Sequence, residues 1–373
     1  MPRFLLAPDS FKGTLSAKEV CGIFAGALSA RFPDAVIRAV PMADGGEGMT
    51  ESWLELLGGR RIIRTVTGPQ GAPVEAFYGI LPDGTAVIEM AAAAGLPLVR
   101  GKNDILRATT RGVGELLLDA AAQGASSVIL GLGGSATNDC GLGMAEALGF
   151  TFTDRSGQRF SPLALRLGDV ASIRPPEHPF PLPVRVACDV RNPLLGQNGA
   201  AAVFGPQKGA SPEEISLLEH GAARFARVLN SFFGKDVASI PGAGAAGGMG
   251  AAAIALLRGE LLPGAELLLQ AADFDGLLTR ADAVFTGEGR MDGQTKLGKV
   301  PYTVGLRCKK AGVPCYALCG SLGEGAEELL SCGITAMFAA SDGISDPETL
   351  RRRAAGDLAA LARRVADTLS FSA

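Results

Sequence analysis

The feature that most constrains this chain is a strand–loop–helix rhythm that opens the sequence, breaks off near residue 60 and returns near residue 281. Residues 3–8 read as a short apolar strand, followed by the loop Asp9-Ser-Phe-Lys-Gly-Thr-Leu15. The capping box Ser16-Ala-Lys-Glu19 then starts a helix predicted to reach about residue 31. A second strand, 36–40, leads through Pro41-Met-Ala-Asp-Gly-Gly-Glu-Gly48 into a helix that stops at Gly58-Gly59. After Ala281 come strand 283–286, the loop Gly287-Glu-Gly-Arg-Met-Asp-Gly-Gln294, helix 300–311, strand 314–318, helix 325–331 and strand 334–339. Such alternation predicts parallel strands, whose carboxyl-end loops are where ligands sit in open sheets.

The middle of the chain has a different pattern. Strands 61–68, 74–81 and 86–90, with Pro82-Asp-Gly84 as a tight turn, read as an antiparallel meander. Helix 112–123, buried strand 127–132 and helix 141–148 follow, and the proline-rich stretch 172–183 reads as a surface connection. Strand 184–187 ends in Cys188-Asp-Val-Arg-Asn192, and Ser211-Pro-Glu-Glu214 starts another helix. A length of 373 residues suits two α/β-sized domains. The expected fold class is α/β. Residues 1–60 and 281–373 form a doubly wound, flavodoxin-like domain, residues 61–280 an inserted mixed α/β domain, and the active site lies in the cleft between them.

Charge and composition then narrow the function. A net charge of -3 gives no electrostatic footprint for nucleic acid or an anionic membrane. No apolar run approaches the eighteen or so residues of a membrane span, and the opening run is too short for a secretory signal. Seven cysteines without zinc or thioredoxin spacing read as buried thiols, which places the chain in the cytoplasm. Of two histidines, His178 sits among prolines and His220 on a predicted helix, so a Ser-His-Asp hydrolase or histidine-rich metal site is disfavoured. Acid–base work falls to carboxylates or lysines.

Several glycine-rich motifs compete. Gly131-Leu-Gly-Gly-Ser-Ala136 and Gly242-Ala-Gly-Ala-Ala-Gly247 both match a dinucleotide-binding pattern, which leaves an NAD(P)-dependent hydroxy-acid dehydrogenase open. Gly293-Gln-Thr-Lys-Leu-Gly-Lys299 matches a phosphate-binding loop except that Val300 replaces its last Ser/Thr. With 51 glycines in the chain, each match alone is weak, and ordinary tight turns explain any of them. A non-catalytic small-molecule binding protein also stays open.

The neighbours of these glycines say more. The run Gly133-Gly-Ser-Ala-Thr-Asn-Asp139 offers backbone amides, hydroxyls and a carboxylate where a helix is expected to begin, a setting that stabilises phosphate. Gly45-Gly46 has similar anion-binding potential but carries Asp44 and Glu47, and the 287–294 loop carries Glu288 and Asp292 around Arg290. Acids beside a phosphate cradle suit a bridging Mg²⁺; as simple alternatives, Asp44 or Asp292 caps a helix. Lys12 can hold a substrate carboxylate or phosphate, and Lys208 precedes a helix; either also reads as a solvated surface charge. Asp189 is a candidate general base or a partner for Arg191.

Taken together, these loops resemble the type I glycerate kinase family of bacteria. The resemblance rests on Ala7-Pro-Asp-Ser-Phe-Lys-Gly-Thr-Leu-Ser-Ala17, Met42-Ala-Asp-Gly-Gly-Glu-Gly48, Val66-Thr-Gly-Pro69, Val87-Ile-Glu-Met-Ala-Ala-Ala93, Gly133-Gly-Ser-Ala-Thr-Asn-Asp139, Ala187-Cys-Asp-Val190, Phe204-Gly-Pro-Gln-Lys-Gly-Ala210, Pro241-Gly-Ala-Gly-Ala-Ala-Gly-Gly248 and Thr286-Gly-Glu-Gly-Arg-Met-Asp-Gly-Gln-Thr295, in family order. Cys140 and Leu142 stand where the family has small residues. The resemblance implies transfer of the γ-phosphoryl group of ATP to D-glycerate, with Mg²⁺, giving 2-phosphoglycerate and ADP. The expected catalytic residues are Asp189, Lys12 and Arg290. Asp9, Ser10, Asp44, Gly45, Gly46 and Glu47 are expected at the substrate. Gly133, Gly134, Ser135, Thr137, Asn138 and Lys208 are expected at ATP, and Asp189, Glu288 and Asp292 at Mg²⁺. The expected partners are glycerate and ATP, with no nucleic acid and no membrane, in a monomer or homodimer.

Overall fold

A computed structural model describes residues 1–341 and 346–370. Contacts divide the chain into two units, Met1–Asp44 with the chain from Ala265 onward, and Gly45–Gly264.

The first unit carries a wholly parallel five-stranded sheet in the order Ala336–Ala339, Cys315–Cys319, Ala283–Thr286, Arg3–Leu6, Val36–Ala39. Counted along the unit's own chain this order is 2-1-3-4-5, the doubly wound arrangement whose switch point lies between its first and third strands. Phe4, Leu6, Ala283 and Phe285 pack with Val20, Phe24 and Leu28 of helix Ala17–Arg31 and with Leu358, Leu361 and Val365 of helix Pro347–Thr368. Their neighbours Leu5 and Val284, equally buried, alternate to the opposite face, as strand geometry requires. The capping box forms as read: Ser16 and Glu19 exchange side-chain and backbone hydrogen bonds at the start of Ala17–Arg31. Segment 325–331, expected as an α-helix, is the 3-10 turn Ala326–Cys332.

The second unit carries a mixed six-stranded sheet, Glu260–Leu262, Val184–Ala187, Ser127–Gly131, Thr85–Glu89, Pro73–Ile80, Arg60–Thr67. The first four strands are parallel and the last two run antiparallel as the meander. Within the stretch expected to be a bare connection, Ser172–Arg174 pairs with Thr151–Thr153. Cys140, a non-glycine, takes a left-handed φ of 50°.

The division falls at 44/45 and 264/265, not at 60/61 and 280/281. Helix Met49–Leu57 packs on strands Pro73–Ile80 and Thr85–Glu89, which ties it to the second unit. Helices Gly264–Ala271 and Phe274–Leu278 are tied to helix Val300–Ala311 by Arg307, which pairs with both Glu266 and Asp275. Among the described residues, no helix is long and apolar enough to cross a membrane.

Candidate functional site

In the first unit, the two strands flanking the switch point end in the loops that carry its charges. Asp9 N–H donates to Gly287 O (2.8 Å) and Thr286 Oγ1 to Ala7 O (2.8 Å), so the loops after Arg3–Leu6 and Ala283–Thr286 leave the sheet side by side. Gly287 is obligatory there: a Cβ would sit 1.8 Å from Leu318 O. Lys12 forms an ion pair with Asp44, at the end of the loop after Val36–Ala39. Some desolvation works against its charge, yet the carboxylates of Asp44, Asp9 and Glu288 hold the ammonium above its usual pKa. Asp9 is almost fully buried, and burial together with the Asp44 charge pushes its carboxyl well up, with Lys12 pulling the other way. Burial also raises Glu288, opposed by Lys299 (Nζ–Oε2 3.4 Å) and by the Thr295 hydroxyl (2.6 Å). A cavity of about 400 Å³ opens here, bordered by Ser10, Lys12, Thr14, Glu288, Arg290 and Lys299 among others.

Four residues singled out in the sequence, Ser10, Lys12, Glu288 and Arg290, border this one cavity together with Lys299, which was not singled out. Lys299 belonged to the phosphate-loop look-alike, which in fact folds as the turn Thr295–Leu297 followed by Lys299 as N-cap of helix Val300–Ala311. Asp292 behaves as the capping alternative: Oδ1 accepts from Gln294 N–H (2.9 Å), and Oδ2 lies 3.5 Å from Arg290 Nε.

In the second unit the glycine loops converge. Gly133 N–H donates to Gly45 O (3.1 Å), and a Cβ on Gly133 would fall 2.3 Å from Gly46 Cα. The run 131–136 follows a strand, but its helix, Leu142–Ala147, begins only six residues later. The run 242–247 follows no strand directly, and Gly247 is packed so closely that a Cβ would meet Thr137 O at 2.2 Å. Neither has the strand–turn–helix context that a dinucleotide fingerprint needs.

Both helix N-termini expected to bind phosphate are filled by the protein's own acids. Asp139 is fully buried, and its carboxylate accepts from the N–H groups of Thr110 (2.8 Å), Gly141 (3.1 Å) and Gly143 (3.1 Å) and from the Thr110 hydroxyl (2.8 Å). Glu89, not singled out from the sequence, accepts from Thr50 N–H (2.6 Å) and Gly48 N–H (3.2 Å) at the start of Met49–Leu57. The N–H groups so occupied are those of Gly48 and Thr50 after Gly45-Gly46, and of Thr110, Gly141 and Gly143 around the 133–139 run. Glu47, by contrast, is exposed.

What remains in the 133–139 loop is one cation among neutral oxygens. Lys208 is 3% exposed and donates to Ser135 Oγ and Thr137 O, both at 2.7 Å; burial pushes its pKa down to about 7, Asp139 opposing. Asn103 braces the same loop, donating to Ala136 O and Lys208 O at 2.9 Å each. Thr137 Oγ1 and Asn138 Oδ1 are buried without a hydrogen-bond partner among the described residues, and Gly134 is exposed at the tip. Groups of this kind suit a polyanion whose oxygens meet a buried ammonium and an unused hydroxyl.

The expected Mg²⁺ ligands divide between the units: Asp189 lies in the second, where Oδ1 accepts from Gly264 N–H (2.8 Å), and Glu288 and Asp292 in the first. Among the described residues, no three histidine, cysteine or acidic side chains are gathered as a metal site. Asp9 and Glu288 are two buried acids near enough for the Glu288 charge to act on Asp9, and Mg²⁺ takes one or two acids from protein with the rest left to substrate and water.

The sequence profile of the glycerate kinase family matches residues 4–370. A glycerate kinase from Bacillus subtilis and a glycerate 2-kinase from Escherichia coli are each 42% identical to this chain over 99% of it and 98% of their own length. A glycerate kinase from Halalkalibacterium halodurans is 46% identical over 91% of this chain and 90% of its own. The crystal structure of a protein from Salmonella typhimurium LT2 designated glycerate kinase 2 superposes with a TM-score of 0.85, at 40% identity and 98% coverage of both chains. Matched along nearly its whole length in both sequence and structure, the chain belongs to the glycerate kinase family.

Proposed function

We propose that this enzyme transfers the γ-phosphoryl group of ATP to the C2 hydroxyl of D-glycerate, releasing 2-phosphoglycerate and ADP. The observation that carries the reading is the first unit's charged cavity, where Lys12, Arg290 and Lys299 face Glu288 and Ser10 at the carboxyl ends of the switch-point strands. Its three cations match the carboxylate of a short hydroxy acid, and Ser10 and Glu288 its hydroxyls. The E. coli relative's designation as a 2-kinase supports C2 as the acceptor position.

In this reading the loop 133–138 and Lys208 receive the ATP phosphates. The phosphates replace Ser135 Oγ and Thr137 O as partners of the buried ammonium, and the Thr137 hydroxyl gains an acceptor. Mg²⁺, when bound, neutralises charge on the phosphate oxygens, with Glu288 and Asp9 the acids that fit it. Lys12 orients the glycerate carboxylate as it exchanges Asp44 for substrate. Asp189 is our candidate acceptor of the hydroxyl proton. Phosphoryl transfer asks mainly for positioning and charge stabilisation, which this set supplies without histidine.

The test is ADP release measured with and without D-glycerate, with ³¹P–¹H coupling used to locate the phosphate on the product. Glycerate-dependent ADP release with phosphate on C2 is expected, and in the same assay Asp189→Asn lowers kcat about 100-fold. ADP release indifferent to glycerate defeats the assignment, and phosphate on C3 defeats the regiochemistry.

A further inference from the structure

We propose that Glu89 is a positioning residue for the reaction: its ionised carboxylate latches the start of helix Met49–Leu57 and so fixes the glycine loop 45–48. The proposal rests on the reading above, because this loop packs against the loop 133–138 assigned there to the ATP phosphates, with Gly133 N–H donating to Gly45 O.

The geometry is that of a helix cap supplied from another element. The N-cap of Met49–Leu57 is Gly48, in the left-handed region at φ 88°, and it has no side chain to satisfy the helix's first N–H groups. Glu89, the last residue of the central strand Thr85–Glu89, reaches them instead: Oε2 takes Gly48 N–H and Oε1 takes Thr50 N–H. Upstream, the loop is held by contacts that allow no side chain, since a Cβ on Gly45 would lie 2.8 Å from Ala187 O and Gly45 O accepts from Gly133 N–H. One end of the loop is therefore set by close backbone packing and the other by one carboxylate.

Only a carboxylate does this fully. It accepts two N–H groups with two oxygens, whereas a glutamine amide accepts one and presents an NH₂ group to the other. Yet the site resists the charge. Glu89 is 5% exposed, and burial pushes its pKa up to about 7 even though the Thr50 and Gly48 N–H groups favour ionisation. The charged side chain acting on it most is Glu51, on the helix it caps, and that too is an acid. Strand Ser127–Gly131 and helix Ala91–Ala94 carry no charge, strand Pro73–Ile80 carries only Glu75, the capped helix also carries Glu55, and the loop itself carries Glu47. Helix Arg111–Ala122, which also packs on Thr85–Glu89, carries Glu115, Asp119 and Arg111, the last paired with Glu115 and Glu146. A serine or aspartate at position 48 is the ordinary way to cap such a helix. Retaining a buried acid from a neighbouring strand ties loop placement to an ionisation near neutral pH.

The test compares wild type, Glu89→Gln and Glu89→Asp in the full chain by kinetics from pH 5.5 to 9 and by amide hydrogen exchange of residues 45–50. In wild type, kcat/KM is expected to rise through about pH 7. Glu89→Gln should lose that rise and fall about tenfold at pH 8, with exchange at residues 48–50 faster by a similar factor. Glu89→Asp, which keeps the charge on a shorter arm, should retain the pH-dependent rise. An unchanged pH profile in Glu89→Gln, or unchanged exchange at 48–50, overturns the latch. If wild type shows no glycerate-dependent ADP release, the proposed function fails on its own, and the exchange result still decides the latch.

Discussion

The two units build their loops from the same ingredients, glycines and acids at strand ends, and use charge in opposite ways. In the first unit, Lys12 pairs with Asp44 and Lys299 with Glu288 around an open cavity, and Lys12 keeps a side chain 64% exposed. In the second, Asp139 and Glu89 are buried on helix N-termini, and Lys208 is buried on neutral oxygens. A lysine that stays largely exposed, as Lys12 does, exchanges partners at little cost, whereas buried single charges are held only by the dipoles around them. A glycine-rich loop is thus not one device. Substitutions in the first unit should touch chemistry while sparing the fold, and those in the second should move both.

The sharpest test of that contrast is Lys12→Met. Removing the cation leaves Asp9, Asp44 and Glu288 facing one another and takes away the substrate's counter-charge, so kcat/KM should fall roughly 100-fold or more. The melting temperature should stay within a few degrees of wild type; a large drop would make Lys12 structural and erase the difference between the units.

Lys208→Met should act less strongly on turnover, raising KM for ATP about tenfold, and should betray itself through pH. Burial in the folded state depresses the lysine's pKa to about 7, from the 10.5 usual for a lysine. Stability from this group is therefore full above about pH 10.5 and is lost as pH falls toward 7. Melting curves from pH 7 to 10 should show the variant weakest, relative to wild type, at the alkaline end. A constant difference across that range would mean that Lys208 is not buried as described.

The smallest effect is expected for Asp292→Asn. Its carboxylate caps a local turn and lies near an exposed arginine, so kcat and the Mg²⁺ dependence should stay within about threefold of wild type. A steep rise in the Mg²⁺ requirement would restore Asp292 as a metal ligand.

Much of the fold could be read from local pattern. The strand–loop–helix alternation, the Ser16–Glu19 capping box and the meander turn at 82–84 are short-range signals, and each element lies within a residue or two of its expected place. Helix Pro347–Thr368 went unread although Leu358, Leu361, Ala362 and Val365 follow helical spacing. The unit boundaries were misplaced because nothing local says that Met49–Leu57 packs on strands that come after it.

At the site, loops rich in charge were legible and pairings were not. Lys12 and Asp44 are 32 positions apart, and no spacing rule joins them. Glu89 was hidden at the end of an otherwise apolar strand, where it reads as one more core position. The stretches 133–139 and 45–48 were expected to offer amides to phosphate, but sequence does not reveal that Glu89 takes the Gly48 N–H or that Asp139 draws on Thr110, Gly141 and Gly143.

The pairing of Phe4 with Ala283 gives the first unit a history as well as a shape. Strand Arg3–Leu6 precedes the whole of Gly45–Gly264 in the chain, yet its partner on the side away from Val36–Ala39 lies 279 positions later. At roughly 5–20 residues per second, a ribosome takes tens of seconds to cover that distance. Through that interval the apolar strand has an open edge, while Gly45–Gly264 has all six strands of its own sheet. Through that wait the unpaired edge of Arg3–Leu6 is open to capture by other chains or by chaperones.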